Sequence, residues 1–151
     1  MSTGKSIRNF ISKGAKETQK LGEKISGEIL KMPPRKKAVV LALVGNLGGG
    51  KTCFLQGFTK GLGIKEKVLS PTFIIMRRFN NFFHFDCYRI QKPKDILDLG
   101  FKEIIDNSEN IVAIEWADKI KKIIPEDALW IKFESLGGNK RRIMIEWEYG
   151  K

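Results

Sequence analysis

Gly45-Asn46-Leu47-Gly48-Gly49-Gly50-Lys51-Thr52 decides the fold. The stretch follows a β-branched apolar run, Val39-Val40-Leu41-Ala42-Leu43-Val44, and leads into Cys53-Phe54-Leu55-Gln56-Gly57-Phe58, which reads as a helix. It is a G-x-x-x-x-G-K-[ST] loop between a strand and a helix N-terminus, the setting in which that motif holds phosphate. Glycines let backbone N–H groups curl around an anion with no Cβ in the way. The helix start adds unpaired donors and a partial positive charge for the same anion. Lys51 can reach the terminal phosphates, and the Thr52 hydroxyl can take one Mg²⁺ position. The pattern predicts a site for a nucleoside triphosphate and Mg²⁺.

Working outward, the chain upstream is basic and helical. From Ser6 to Leu30, apolar residues recur at Ile7, Phe10, Ile11, Leu21, Ile25 and Ile29 with Lys and Glu between them, an amphipathic helical spacing. Gly14, Gly22 and Gly27 weaken the pattern, so one helix is expected over about 16–30 with a looser segment before it. Pro33-Pro34 stops that helix. The expected organisation is a flexible basic extension over 1–15 and a single domain over 16–151. The first residues hold Ser and basic groups without acids, as a transit peptide does, but no cleavage pattern follows.

Downstream, Gly61-Leu62-Gly63 caps the loop's helix. Ser70-Pro71-Thr72-Phe73 precedes a hairpin of Ile74–Phe79 and Phe82–Asp86 that turns at Asn80-Asn81. Short helices are expected after Pro93 and over Phe101 to Ile105. Ile111-Val112-Ala113-Ile114-Glu115 is a buried strand ending on an acid, and Lys119 to Ile124 reads as helical. Leu129 to Glu134 and Arg142 to Glu148 alternate apolar with polar around Leu136-Gly137-Gly138-Asn139, a second hairpin. The expected fold is α/β, a P-loop NTPase with a mixed parallel and antiparallel sheet flanked by helices.

Composition narrows the function classes. With 42% hydrophobic residues in 151, the chain can bury one sizeable core. No apolar run approaches the roughly 20 residues of a spanning helix, so no membrane role is expected. Cys53 and Cys87 suit neither a zinc site nor a disulfide framework, which points to a reducing cytoplasm. The net charge is +11, and residues 1–37 carry ten Lys/Arg against three Glu, or +7 of it. Such clustering suits RNA as a partner, with a solvated helix face as the plainer alternative.

Three acids and hydroxyls stand where phosphate chemistry would use them. Glu115 closes an apolar strand, where P-loop proteins place a metal-side carboxylate. Asp86 also ends a strand and can orient an attacking water or hold a metal-bound one; a capping acid is the alternative. Thr72 can contact the γ-phosphate from a loop, or simply follow a proline turn. His84, among phenylalanines in mid-strand, reads as a hydrogen-bonded structural histidine rather than a base.

The phosphate loop, Ser70-Pro71-Thr72-Phe73, His84-Phe85-Asp86-Cys87-Tyr88-Arg89 and Ile114-Glu115-Trp116, in that order, resemble the TsaE (YjeE) family. That family is the ATPase of bacterial tRNA threonylcarbamoyladenosine synthesis, and the likeness runs from about Glu17 to Ile143. The resemblance implies ATP and Mg²⁺ as ligands, slow hydrolysis alone, and TsaD-like and TsaB-like partners that modify tRNA. It implies that Leu47, Gly48, Gly49, Gly50, Lys51, Thr52 and Cys53 wrap the nucleotide, with Thr52 and Glu115 on the metal side. Asp86 would be catalytic, Glu115 would assist, and Thr72 would sense phosphate. Trp116 would lie near the nucleotide, and Thr18 with Arg141 or Arg142, Arg142 preferred, would flank the base. The chain departs from the family at Asn46, Gly49 and Cys53, where Asp, Ala and Thr are usual, so turnover is expected to suffer before binding. Other readings are a small-molecule kinase, for which no lid-sized insertion exists, and a nucleotide-gated RNA-binding module. A GTPase would need an Asn-Lys-x-Asp guanine reader, which is absent.

Overall fold

The structure, a computed structural model, describes residues 4–45, 50–66 and 75–149. Seven strands form one sheet: β1 (Gly4–Ser12), β2 (Val39–Gly45), β3 (Met76–Phe79), β4 (Phe82–Asp86), β5 (Ile111–Glu115), β6 (Leu129–Gly137) and β7 (Lys140–Tyr149). Their spatial order is β1-β7-β6-β2-β5-β4-β3. The middle strands β6, β2, β5 and β4 are mutually parallel, and β1, β7 and β3 pair antiparallel at the flanks. This is the mixed sheet flanked by helices that the sequence predicts.

Burial on both faces explains the unbroken apolar run of β2. Val39, Leu41 and Leu43 pack beneath α1 (Ala15–Leu30) and α2 (Lys51–Gly61), in a core with Leu21, Ile25, Ile29, Phe54, Leu55 and Phe58. Val40 and Ala42 face the other way, against α3 (Lys94–Leu97), α4 (Phe101–Asp106) and a 3₁₀ helix at Ala117–Ile123. A central parallel strand has no solvent face, so every position is apolar.

Both hairpins form as expected. Asn80 takes the left-handed conformation at φ 56° in the β3–β4 turn, and Gly137 and Gly138 do so in the β6–β7 turn.

Residues 4–12 differ from expectation. The looser segment expected before the helix is, over Gly4–Ser12, the edge strand β1, paired with β7 from Gly4↔Tyr149 to Ser12↔Arg141. Ile7, Phe10 and Ile11 have helical spacing, but in the strand Phe10 packs against the α1-side core while Ile7 and Ile11 are exposed. Nine backbone pairs with partners 129 to 145 residues away outweigh a weak local preference broken by Gly14. Arg8 then ties the strand to α1 through Glu28, at 2.6 and 3.2 Å.

Candidate active site

Parallel register brings three strand ends together. β2 ends at Gly45, β5 at Glu115 and β4 at Asp86, with Leu43 opposite Glu115 and Glu115 opposite Asp86. Ligands of open α/β sheets gather at the carboxyl ends of the parallel strands. Alternation puts His84, Asp86 and Glu115 on the α2 side of the sheet, the face that holds Phe82, Leu43 and Ala113.

The helix α2 starts at this edge. Gly50 caps it at φ 97°, a conformation that favours glycine, and Lys51 and Thr52 are its first two residues. Lys51 is only 5% exposed, and its ammonium donates to the Gly45 carbonyl at 2.7 Å. The same nitrogen lies 4.0 Å from the Trp116 ring centroid. Burial pushes the Lys51 pKa down, opposed by the charges of Glu115, Asp86 and Asp118. Asp118 is an acid near the lysine that the sequence reading did not single out.

Trp116 sits at φ 57°, ψ 41°, caps the 3₁₀ helix, and leans against Tyr88 with ring centroids 5.0 Å apart. The left-handed turn at a bulky residue aims the ring back over the loop's lysine.

The two acids differ. Glu115 is 3% exposed, and its Oε2 lies 2.8 Å from His84 Nε2. Asp86 is half-buried, its Oδ1 accepting the Tyr88 N–H at 3.0 Å. Burial first, and then Glu115, hold the Asp86 carboxyl above the usual carboxylate range, against the pull of Tyr88 N–H, His84 and Lys51.

At the other side of the loop, Thr18 and Arg141 flank Gly50. A Cβ built on Gly50 would lie 3.7 Å from Thr18 Cγ2 and 3.8 Å from Arg141 Cγ. Thr18 is held by Ser12 at 2.7 Å and by the Gly14 carbonyl at 3.2 Å. Ser12 was missed by the sequence reading, because only the β1–β7 pairing brings it opposite Arg141. Strand alternation sets Arg142, the arginine preferred from the sequence, on the opposite face of β7 from Arg141, where it pairs with Glu134 at 3.3 Å. Cys53 is half-buried in the first turn of α2. Leu47, Gly48, Gly49 and Thr72, with Asn46 and the rest of Ser70–Phe73, lie outside the described residues.

The donor set fits Mg²⁺ held jointly with phosphate. Among the described residues no group of three His, Cys, Asp or Glu could hold a metal by itself. Mg²⁺ is commonly bound through one or two carboxylates plus substrate phosphates, which one hydroxyl and one carboxylate suit. The described residues therefore offer Lys51 and the α2 N-terminus to an anion, with the Glu115 and Asp86 carboxyl groups close enough to act on the lysine's charge. Among the described residues no helix is long and apolar enough to cross a membrane.

Comparison with known proteins points to one family. The model of the family described as threonylcarbamoyl adenosine biosynthesis protein TsaE matches residues 12–143. A tRNA threonylcarbamoyladenosine biosynthesis protein TsaE of Treponema pallidum is 30% identical over 138 residues, 89% of this chain and 97% of that protein. The protein of the same name from Haemophilus influenzae is 31% identical over 119 residues, 76% of this chain and 74% of its own length. Among solved structures, the crystal structure of Bacillus subtilis YdiB superposes with a TM-score of 0.74 at 26% identity, covering 97% of this chain and 88% of that one.

Proposed function

This chain belongs to the TsaE family of threonylcarbamoyl adenosine biosynthesis proteins, and from that membership we propose that it is the pathway's cytoplasmic P-loop ATPase subunit. In this reading it binds ATP with Mg²⁺ and acts with TsaD-like and TsaB-like partners that transfer threonylcarbamoyl to an adenosine of tRNA. The observation that carries it is the convergence of a nearly dry Lys51 with Glu115 and Asp86 at adjoining strand ends.

Each residue has a task that its surroundings favour. Among the described residues Lys51 has one hydrogen bond and an aromatic ring for its charge, and a phosphate oxygen is a stronger partner than either. Thr52 and Glu115 would hold Mg²⁺, which when bound neutralises charge on the phosphate oxygens. Asp86 keeps Oδ1 on the Tyr88 N–H and has Oδ2 to orient a water and take its proton. Gly50 and the α2 N-terminus supply backbone donors, with Leu47, Gly48, Gly49 and Cys53 completing the wrap by family likeness. Thr18 and Arg141 would flank the base, and Thr72 would sense the γ-phosphate. The basic start of the chain would meet tRNA directly or leave it to the partners.

The test separates binding from turnover. Lys51→Ala should weaken ATP binding in calorimetry by about 10- to 100-fold, the value of a lost hydrogen bond to a charged group. Asp86→Asn and Glu115→Gln should still bind ADP and release phosphate slowly. Phosphate release should rise when both partner proteins are present and fall when either is omitted. Equal ATP affinity in the parent and Lys51→Ala would overturn the site assignment.

A further inference from the structure

We propose that His84 is a positioning residue whose Nε2–H fixes the Glu115 carboxylate, presenting its other oxygen to the divalent cation that accompanies the nucleotide. The proposal deepens the metal assignment above and rests on it. A carboxylate can only accept, so Nε2 is the donor in the 2.8 Å contact with Oε2. That contact occupies one oxygen and leaves Oε1 for a second ligand.

The sheet register builds the pair. Asp86 lies opposite Glu115 and His84 opposite Ala113, so His84 and Glu115 are diagonal neighbours on the same face. Ala113, with its single methyl group, leaves room for the imidazole to lie along the sheet toward the glutamate. Both side chains are nearly dry, His84 at 1% and Glu115 at 4% exposed. A buried carboxylate needs a donor, and His84 is the side chain that gives Glu115 one among the described residues.

Core packing alone does not account for a histidine here. Its strand neighbours are Phe82, Phe83 and Phe85, and a fourth phenylalanine would fill the row without a polar atom. Instead Nδ1 is buried with no hydrogen-bond partner among the described residues, a cost that an apolar ring avoids. The charge-assisted bond to Glu115 offsets that cost and at the same time fixes the orientation of the carboxylate. Groups in this relation to a metal ligand typically change metal affinity 10- to 100-fold when removed.

The experiment measures ADP binding by calorimetry with Mg²⁺ and with EDTA, for the parent, Glu115→Gln and three variants at position 84. His84→Gln keeps an amide nitrogen at the reach of Nε2, His84→Asn places it at the reach of Nδ1, and His84→Phe keeps ring volume with no donor. We expect the Mg²⁺-dependent gain in affinity to fall 10-fold or more in His84→Asn and His84→Phe. It should be largely retained in His84→Gln, and affinity for Mg²⁺-free ADP should stay within about twofold throughout. Loss of Mg²⁺-free binding in step with Mg²⁺-dependent binding would make the role structural and overturn the proposal. So would equal behaviour of the Gln and Asn variants, which decides the matter even where the Phe variant fails to fold. A parent without a Mg²⁺ effect, or a normal effect in Glu115→Gln, would overturn the metal assignment itself. A lost effect in Glu115→Gln with normal effects in all three position-84 variants would overturn only the role of His84.

Discussion

Single residues at the strand ends hold charge where water would be cheaper. Burial raises the Asp86 pKa above its ordinary 3.8, so the folded chain holds the proton more tightly than the unfolded chain does. Below 3.8 folded and unfolded chains both carry the proton and burial costs nothing. As pH rises through the folded value, the unfolded chain has already ionised, and the stability from the protonated form is lost. Asp86→Asn, which keeps an oxygen for the Tyr88 N–H, should therefore be more stable than the parent at pH 7 without ligands. That advantage should shrink toward zero near pH 3.5 to 4, read as the difference in urea midpoints. An advantage of the same size at both pH values would show that desolvation of the carboxylate is not its source. A site that destabilises the empty protein is common where function requires a charge.

At the scale of elements, the α1–α2 contact reverses the meaning of Gly22 and accounts for Gly57. The sequence reading counts Gly22 against the helix, yet it lies on the buried face of α1. A Cβ there would come within 2.1 Å of the Phe54 carbonyl oxygen, and one on Gly57 within 1.8 Å of the Gln19 oxygen. The two helix backbones touch, so neither position has room for a methyl group. Gly57→Ala should cost roughly 2–3 kcal/mol in urea unfolding, as overpacking does. Gly27, with nothing within 4 Å of a built Cβ, should accept alanine and gain about 0.5–1 kcal/mol of helix propensity. A Gly57→Ala variant as stable as the parent would mean that the helices can part without loss. The contact matters to the site because α1 carries Thr18 and α2 carries Lys51 and Thr52.

For the whole molecule, the net charge of +11 is the property most open to an acidic partner. Part of the N-terminal charge is already engaged: Arg8 with Glu28, Arg35 with Asp127, and Lys37 with Asp106. Arg8 is therefore a poor probe of RNA contact, since replacing it would also loosen β1 from α1. Lys5→Gln with Lys13→Gln leaves that pair intact. If both lysines meet phosphates, affinity of the partner-bound complex for tRNA should lose roughly 1.4 to 1.8 from the slope of log affinity against log salt. Slopes that match between parent and double variant would mean that these two lysines only solvate the surface and that the partners hold the tRNA.

Local pattern was enough for much of this molecule. The strand β2, the helix α2 and both hairpins follow from residues adjacent in the chain: β-branched runs, Gly and Asn at turns, Lys-Thr at a helix start. That Glu115 and Asp86 end their strands was legible because each closes an apolar run; that the two strand ends adjoin follows from the parallel pairing of β4 with β5. Tertiary structure alone decided the rest. β1 is a strand because β7, far along the chain, offers nine backbone pairs, and no window around residue 8 contains that partner. Arg141 rather than Arg142 reaches Gly50 because alternation along β7 is counted from its register with β6 and β1. Ser12 meets Thr18, and His84 meets Glu115, only once those strands and helices are side by side. Propensity and turn chemistry act over a few residues, whereas register and side-chain pairing depend on backbone hydrogen bonds between segments that the sequence keeps apart.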